Sequence, residues 1–263
     1  MTPFQTIELQ RPHTAVVTLW LNRPDKNNAF NAQMISELLV ALEQIEQDPT
    51  VRVLVLRGRG RHFSAGADLA WMQACAELDY QANLDDARQL SELMQRLYHM
   101  PMPTLAVVQG AVFGGAVGLV SCCDLAIGSG DAQFSLSEVR IGLAPAVISP
   151  YVVQAIGERA ARRYALTAER FDGARAHALG LLSETYATGA LENAMREWVD
   201  NLLLNSPHAM RTTKALLQEV GSGELSDALR HKTEETIALI RISPEGQAGL
   251  RAFLDKRKPA WQE

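Results

Sequence analysis

Cysteine is scarce in this chain: three among 263 residues, two of them adjacent at Cys122 and Cys123. So few thiols cannot staple a disulfide framework, and a reducing, cytoplasmic compartment is expected. Long apolar runs are missing too. None approaches the roughly 18–20 residues that span a bilayer, so no membrane partner is expected. The N-terminus lacks the basic stretch and apolar core of a signal peptide. Positive charge is not in excess, and a net charge of −5 leaves no electrostatic footprint for nucleic acid. The histidines (His13, His62, His99, His177, His208, His231) are scattered without paired ligand spacing, which argues against a metal site. Neither Cys75 nor the Cys122-Cys123 pair has a histidine in a recognisable motif. Ser64 does not sit in a G-x-S-x-G elbow, and FGGAVG lacks the G-x-G-x-x-G spacing of a dinucleotide finger.

What is present is an ordinary globular composition, 47% hydrophobic and 21% charged, in a chain long enough for a full core. The first two-thirds alternate strand and helix. Strands are expected over 15–21 (AVVTLWL), 53–56 (VLVL), 104–108 and 125–127. Met34, Leu38, Leu42 and Ile45 predict an amphipathic helix over 31–47, and Leu84, Ala87, Leu90, Met94 and Leu97 mark a second. Gly114 and Gly115 open a third, running through Cys122. Repeated strand–helix units argue for an α/β fold with parallel sheet. Beyond about residue 190 only helices are expected, with Ser206-Pro207 and Ser243-Pro244 as N-cap and first-turn pairs. Segment 72–86 (MQACAELDYQANLDD) reads as a polar, mobile loop.

Two segments carry chemistry: FSAGADL at 63–69 and FGGAVGLVSCCD at 113–124. Each places glycine and small residues where a strand hands over to a helix, and backbone N–H groups are unpaired at such junctions. Two converging N–H donors in a dry site form an oxyanion hole, and losing one such donor costs roughly 3–4 kcal/mol. Glu138 follows in FSLSEVRIGLAP, among Phe134, Leu136, Val139 and Ile141, and a partly buried carboxyl is a usable general acid. Taken singly, the glycines could serve only tight turns, and Glu138 could be a solvated partner of Arg140. Together they suggest proton chemistry beside a thioester carbonyl.

These segments, with LNRPDKNNAFN (21–31) and AFLDKRKPAW (252–261) in the same order, resemble the enoyl-CoA hydratase/isomerase (crotonase) family. The resemblance spans nearly the whole chain. SEVRIGLAPAVISPYV (137–152) with GERAARRYALTAERFDG (157–173) is most similar to bacterial 3-methylglutaconyl-CoA hydratases. The resemblance implies a ClpP/crotonase-like β–β–α superhelix core over 1–190, holding the acyl-CoA site, and a helical trimerisation region over 191–263. It implies a homotrimer or a homohexamer of two trimers. It also implies reversible hydration of 3-methylglutaconyl-CoA to 3-hydroxy-3-methylglutaryl-CoA in leucine breakdown. The alternatives are isohexenylglutaconyl-CoA hydration, double-bond isomerisation, or a non-catalytic RNA- or partner-binding role, the last disfavoured by the acidic charge.

By the same resemblance, Ala67 and Gly115 supply the oxyanion N–H donors and Glu138 exchanges the proton at C2. Gly118 stands where the best-known hydratases carry a second glutamate. Either the substrate's distal carboxylate orients the water, or Glu138 alone holds it while Gly118 makes room for a branched acyl group. Lys26 matches a segment contacting the CoA phosphates, and Ala65, Asp68 and Leu69 flank the pantetheine and adenine. Phe253 and Lys256 match C-terminal residues that reach CoA from a neighbouring region or subunit. Coenzyme A is part of the substrate, so no separate cofactor is expected. Ala146-Val147-Ile148-Ser149 replaces a glycine-rich stretch, either reshaping the acyl pocket or repacking the helix after Pro145. Arg140, Ser149, Tyr151 and His99 are candidates for recognising a distal carboxylate.

Overall fold

The computed structural model describes residues 4–262. They form two compact units, 4–100 with 104–195, and 101–103 with 196–262.

The larger unit carries every strand among the described residues: β1 (Ile7–His13), β2 (Val16–Leu21), β3 (Val53–Gly58), β4 (Thr104–Val108), β5 (Ala111–Phe113), β6 (Leu125–Ser129), β7 (Gln133–Ser135), β8 (Phe171–Asp172) and β9 (Glu184–Tyr186). Six make one sheet in the order β1-β2-β3-β4-β6-β9. It is parallel except at the β1–β2 edge. Its centre is apolar on both faces, as a covered parallel sheet requires: Val53 to Leu56 and Thr104 to Val108 are all buried. The other three make a small sheet in the order β5-β7-β8. Its strands are short but place the two chain segments that matter most, because β5 runs into Gly114-Gly115 and β7 runs towards Glu138.

The helices of this unit are α1 (Ala32–Gln47), α2 (Leu69–Ala76), α3 (Tyr80–Tyr98), α4 (Gly115–Cys122), α5 (Ser149–Ile156), α6 (Glu158–Thr167) and α7 (Gly173–Ala178). Asn31 caps α1, its side chain accepting from the Met34 N–H. Segment 72–86 is not a loop. Asp68 caps α2 and Asp79 caps α3 through the Ala82 N–H, leaving only residues 77–79 between the two helices. Two acidic caps outweigh the weak apolar periodicity there.

The division between units falls within α8 (Leu191–Leu203). The smaller unit continues with α9 (Pro207–Ser222), α10 (Asp227–Ile242) and α11 (Pro244–Leu254). Ser206 and Ser243 cap α9 and α11 as their Ser-Pro pairs predict, each hydroxyl accepting an N–H three residues on at 3.0 Å. No helix among the described residues is long and apolar enough to cross a membrane.

Asn28 ties the loop after β2 to the turn after β3. It is 0% exposed and holds a left-handed φ of 51–54° together with Asn27, a conformation that asparagine tolerates. Its Oδ1 accepts from the Arg23 N–H at 2.8 Å, and its Nδ2 donates to the Arg59 and His62 carbonyls at 2.8 Å. Asn28→Ala leaves those groups unpaired and is expected to lose about 1–3 kcal/mol in urea unfolding. Asn28→Asp is expected to lose at least as much, because a carboxylate would face two carbonyl oxygens.

Candidate active site

Residues 64–67 lie between two partners. On one side they run parallel to β5, the Ser64 N–H donating to the Ala111 carbonyl at 3.0 Å and the Phe113 N–H to the Ser64 carbonyl at 3.1 Å. On the other they meet Phe30, whose N–H donates to the Gly66 carbonyl and whose carbonyl accepts from the Asp68 N–H, both at 2.8 Å. A parallel rung of this kind uses the groups before and after Ala67 and turns Ala67's own N–H away from Phe30. The register pairs Ser64 with Val112, and an equal step along both segments reaches Ala67 and Gly115. Gly115 is the first residue of α4, where N–H groups have no intrahelical partner and the helix dipole favours negative charge. Among the described residues, neither the Ala67 nor the Gly115 N–H donates a hydrogen bond. Ala67 is exposed and Gly115 half-buried, so both amides are within reach of a ligand.

Glycine is required at two neighbouring positions. Gly66 has φ +96° and a Cβ there would lie 3.1 Å from the Phe113 carbonyl oxygen. Gly114 has φ +55° and its Cβ would lie 3.1 Å from Glu138 Oε1. The Gly114 N–H donates to the Ser135 carbonyl at 2.9 Å, which joins the end of β7 to the start of α4. Behind β5, His62 Nδ1 accepts from the Ala111 N–H at 2.9 Å. Burial and the charge of Arg61 hold His62 below its usual pKa, so the ring stays neutral and able to accept.

Glu138 opens a 3-10 turn, Glu138–Ile141, closed by Gly142 in the left-handed region. Its carboxyl lies against Gly114, the residue before Gly115. Oε2 is buried and has no hydrogen-bond partner. Burial pushes the carboxyl pKa up, because the charged form is desolvated. Arg140 does not neutralise it; that guanidinium donates to the Ala168 carbonyl at 2.8 Å. A buried carboxyl oxygen without a partner is rare in a native fold and calls for a functional reason.

Gly118 is not beside open pocket. A Cβ there would come within 2.2 Å of Ile148 Cγ2 and 3.3 Å of Met94 Cε, and Ile148 itself is 2% exposed. The space expected to receive a branched acyl group is therefore filled by Ile148. This also decides the role of the 146–149 stretch at that residue: Ile148 repacks the start of α5 against α4.

The other expected residues divide between the units. Lys26 is exposed on a 3-10 turn, Pro24–Lys26, and the Ala65 N–H donates to the Asn27 carbonyl at 2.9 Å, so that turn adjoins Ala65, Asp68 and the exposed Leu69. The Asp68 carboxylate is not free for a ligand. Oδ2 pairs with Arg23 at 2.9 Å, and Oδ1 accepts from the Ala70 and Trp71 N–H groups at 2.9 and 3.4 Å. Burial pushes its pKa up, but Arg23 and these amides outweigh burial and hold it below the usual range. Phe253 and Lys256 belong to the smaller unit, both exposed. Of the candidates for a distal carboxylate, Ser149 donates to the Ala146 carbonyl at 2.8 Å. Tyr98 stacks edge-on with His99 at 5.0 Å and lies 5.5 Å from Tyr151. Sequence reasoning missed Arg23 and Asn28, although both sit in the RPDKNNAF stretch that drew attention to Lys26.

Two stability measurements test this geometry. Gly118→Ala is expected to cost about 1–3 kcal/mol by overpacking and much less in an Ile148→Ala background, a coupling that a double-mutant cycle reads. The fold raises the Glu138 pKa, so the neutral acid's contribution is full below the unfolded value and is lost as pH rises through the folded one. Glu138→Gln is therefore expected to gain Tm relative to the parent as pH rises across that interval.

A family model described as enoyl-CoA hydratase/isomerase matches residues 11–263. The crystal structure of an enoyl-CoA hydratase from Shewanella pealeana is 45% identical with a TM-score of 0.95, covering 98% of this chain and 96% of that one. Pseudomonas aeruginosa AtuE is 40% identical with a TM-score of 0.94, covering 98% and 100%. The hydroxycinnamoyl-CoA hydratase-lyase of Pseudomonas fluorescens is 32% identical over 92% of this chain and 90% of its own. With its β–β–α core, its C-terminal helices and a match over almost its full length, the chain belongs to the enoyl-CoA hydratase/isomerase family, enzymes acting on acyl-CoA substrates.

Proposed function

We propose that the chain reversibly hydrates an α,β-unsaturated acyl-CoA, with 3-methylglutaconyl-CoA as substrate and 3-hydroxy-3-methylglutaryl-CoA as product, in leucine breakdown. The observation that carries the reaction is the Glu138 carboxyl against Gly114, with Oε2 buried and unpartnered, in a fold that leaves the Ala67 and Gly115 amides unpaired. The choice of acyl group is supported by the likeness of 137–152 and 157–173 to the methylglutaconyl-CoA hydratases.

In this reading the thioester oxygen accepts from Ala67 and Gly115, which stabilise the enolate more than the ground-state carbonyl. The Glu138 carboxylate takes a proton from water as the water oxygen bonds to C3. The C2–C3 π electrons move towards the thioester and develop the enolate. Glu138 then returns the proton to C2, so water is added and the carboxylate is regenerated. Its raised pKa narrows the gap between base and acid, which suits one group to both steps. The CoA phosphates are assigned to Lys26, with Ala65, Leu69 and the Asp68 backbone along the pantetheine and adenine. Phe253 and Lys256 are assigned to the same ligand in the assembled homotrimer or hexamer. Exposed Leu239, Ile242, Phe253 and Leu254 support such an assembly, and the chain is placed in the cytoplasm on its cysteine content.

A second reading is double-bond isomerisation. It is favoured by Ile148 filling the space beside Gly118, which leaves Glu138 without a companion carboxylate and suits a proton shuttle between carbons. Isohexenylglutaconyl-CoA hydration is the alternative within the hydratase reading.

The test is dehydration kinetics with 3-hydroxy-3-methylglutaryl-CoA, 3-hydroxybutyryl-CoA and a long-chain carboxylated analogue. A preference of at least tenfold in kcat/KM for the first is expected. Preference for the long-chain analogue would move the substrate, and dehydration of none would support isomerisation. Glu138→Gln is expected to bind acyl-CoA and lose roughly 10²–10⁴-fold in kcat. In the hydration direction kcat/KM is expected to fall with acid along a limb above the ordinary glutamate range.

A further inference from the structure

The Ala67 peptide has a strained glycine before it and stands exposed to solvent; something must hold its N–H in one direction. Among the described residues one backbone rung does so directly, the pair of 2.8 Å bonds between Phe30 and the residues on either side of Ala67. Arg23 bridges that rung from below. Its Nη1 donates to the Ala29 carbonyl at 2.7 Å, and its Nη2 reaches Asp68 Oδ2 at 2.9 Å. One planar guanidinium therefore grips the residue before Phe30 and the residue after Ala67. The grip is itself held: the Arg23 N–H is accepted by the buried Asn28, and Asp68 Oδ1 is fixed by the first turn of α2. The Arg23 and Asp68 side chains are only 17% and 14% exposed, which sets this pair apart from surface ion pairs that contribute little.

We infer that Arg23 is a positioning residue for the oxyanion site: acting through Asp68 and Ala29, it fixes the direction of the Ala67 N–H. The inference rests on the reading of Ala67 as a donor to the thioester oxygen. Lysine cannot replace arginine here, because an ammonium is a point charge without the fork that reaches both oxygens. A displacement of the donor by a fraction of an ångström weakens an interaction that matters most in the transition state.

The test uses the full-length protein and the carbonyl stretch of a bound enoyl thioester, ¹³C-labelled at the carbonyl and read by difference infrared spectroscopy. Glu138→Gln supplies the reference, since it holds substrate without turning it over. In that background the bound carbonyl is expected to be red-shifted from its position in water, and adding Arg23→Lys is expected to shrink that shift. In the otherwise unaltered enzyme, Arg23→Lys is expected to lower kcat by on the order of 10–100-fold while KM changes by less than about threefold. An undiminished shift in the double variant would overturn the inference, as would a loss confined to KM, which would make Arg23 a ligand contact. No red shift in the Glu138→Gln reference would instead overturn the donor reading. If Arg23→Lys does not fold, Asp68→Asn keeps the α2 cap and removes the charge; a diminished shift supports the inference and an unchanged one overturns it.

Discussion

A backbone amide can serve a ligand only if the fold leaves it without a partner, and folds rarely do. This constraint organises the larger unit. The Ala67 N–H is left over by the geometry of a parallel rung, and the Gly115 N–H is left over by the start of a helix. The small sheet positions the segments that carry them. β5 aligns residues 64–67 with the approach to α4, and β7 brings Glu138 under Gly114. The main sheet, by contrast, is a platform whose central strands β2, β3, β4 and β6 are paired on both sides.

Around these amides the structure accepts local costs. Gly66 and Gly114 hold positive φ, with neighbours too close for a side chain. The Glu138 carboxyl is buried with one oxygen unpartnered, although such a group would be stabilised by any donor. Two polar side chains nearby are fully matched: Asn28 uses its acceptor and both donors, and the Asp68 carboxylate is occupied on both oxygens. The contrast separates groups that hold the site from the group that is free to react. Ile148 adds a further restriction, since its methyl occupies the space beside Gly118 and leaves no room for a side chain there.

Much of this was legible in the residues. Gly114 and Gly115 announced a strand-to-helix junction, whereas Gly66 lies in a bridged segment well past the end of β3, and long periodic segments announced α1 and α3. The β–β–α core and helical C-terminal region follow the expected fold. Short elements were not legible: β5, β7, β8 and β9 have two or three residues each, too few for any period to register. Segment 72–86 was misread because capping by Asp68 and Asp79, not apolar spacing, makes it helical. Arg23 and Asn28 carried no signal of their own, since their burial is imposed by segments distant in sequence. Ile148 filling the notch at Gly118 required knowing that α5 packs on α4. The acyl group is hardest to read, because oxyanion motifs are backbone groups that meet only the thioester common to every substrate.

The account stands on two amides and one carboxyl acting on a single thioester. The most direct measurement is a crystal structure of Glu138→Gln with an enoyl-CoA bound. The thioester oxygen is expected at hydrogen-bonding distance, about 2.7–3.1 Å, from both the Ala67 and Gly115 nitrogens, with C2 facing residue 138. A thioester bound elsewhere, or an oxygen served by neither amide, would contradict it.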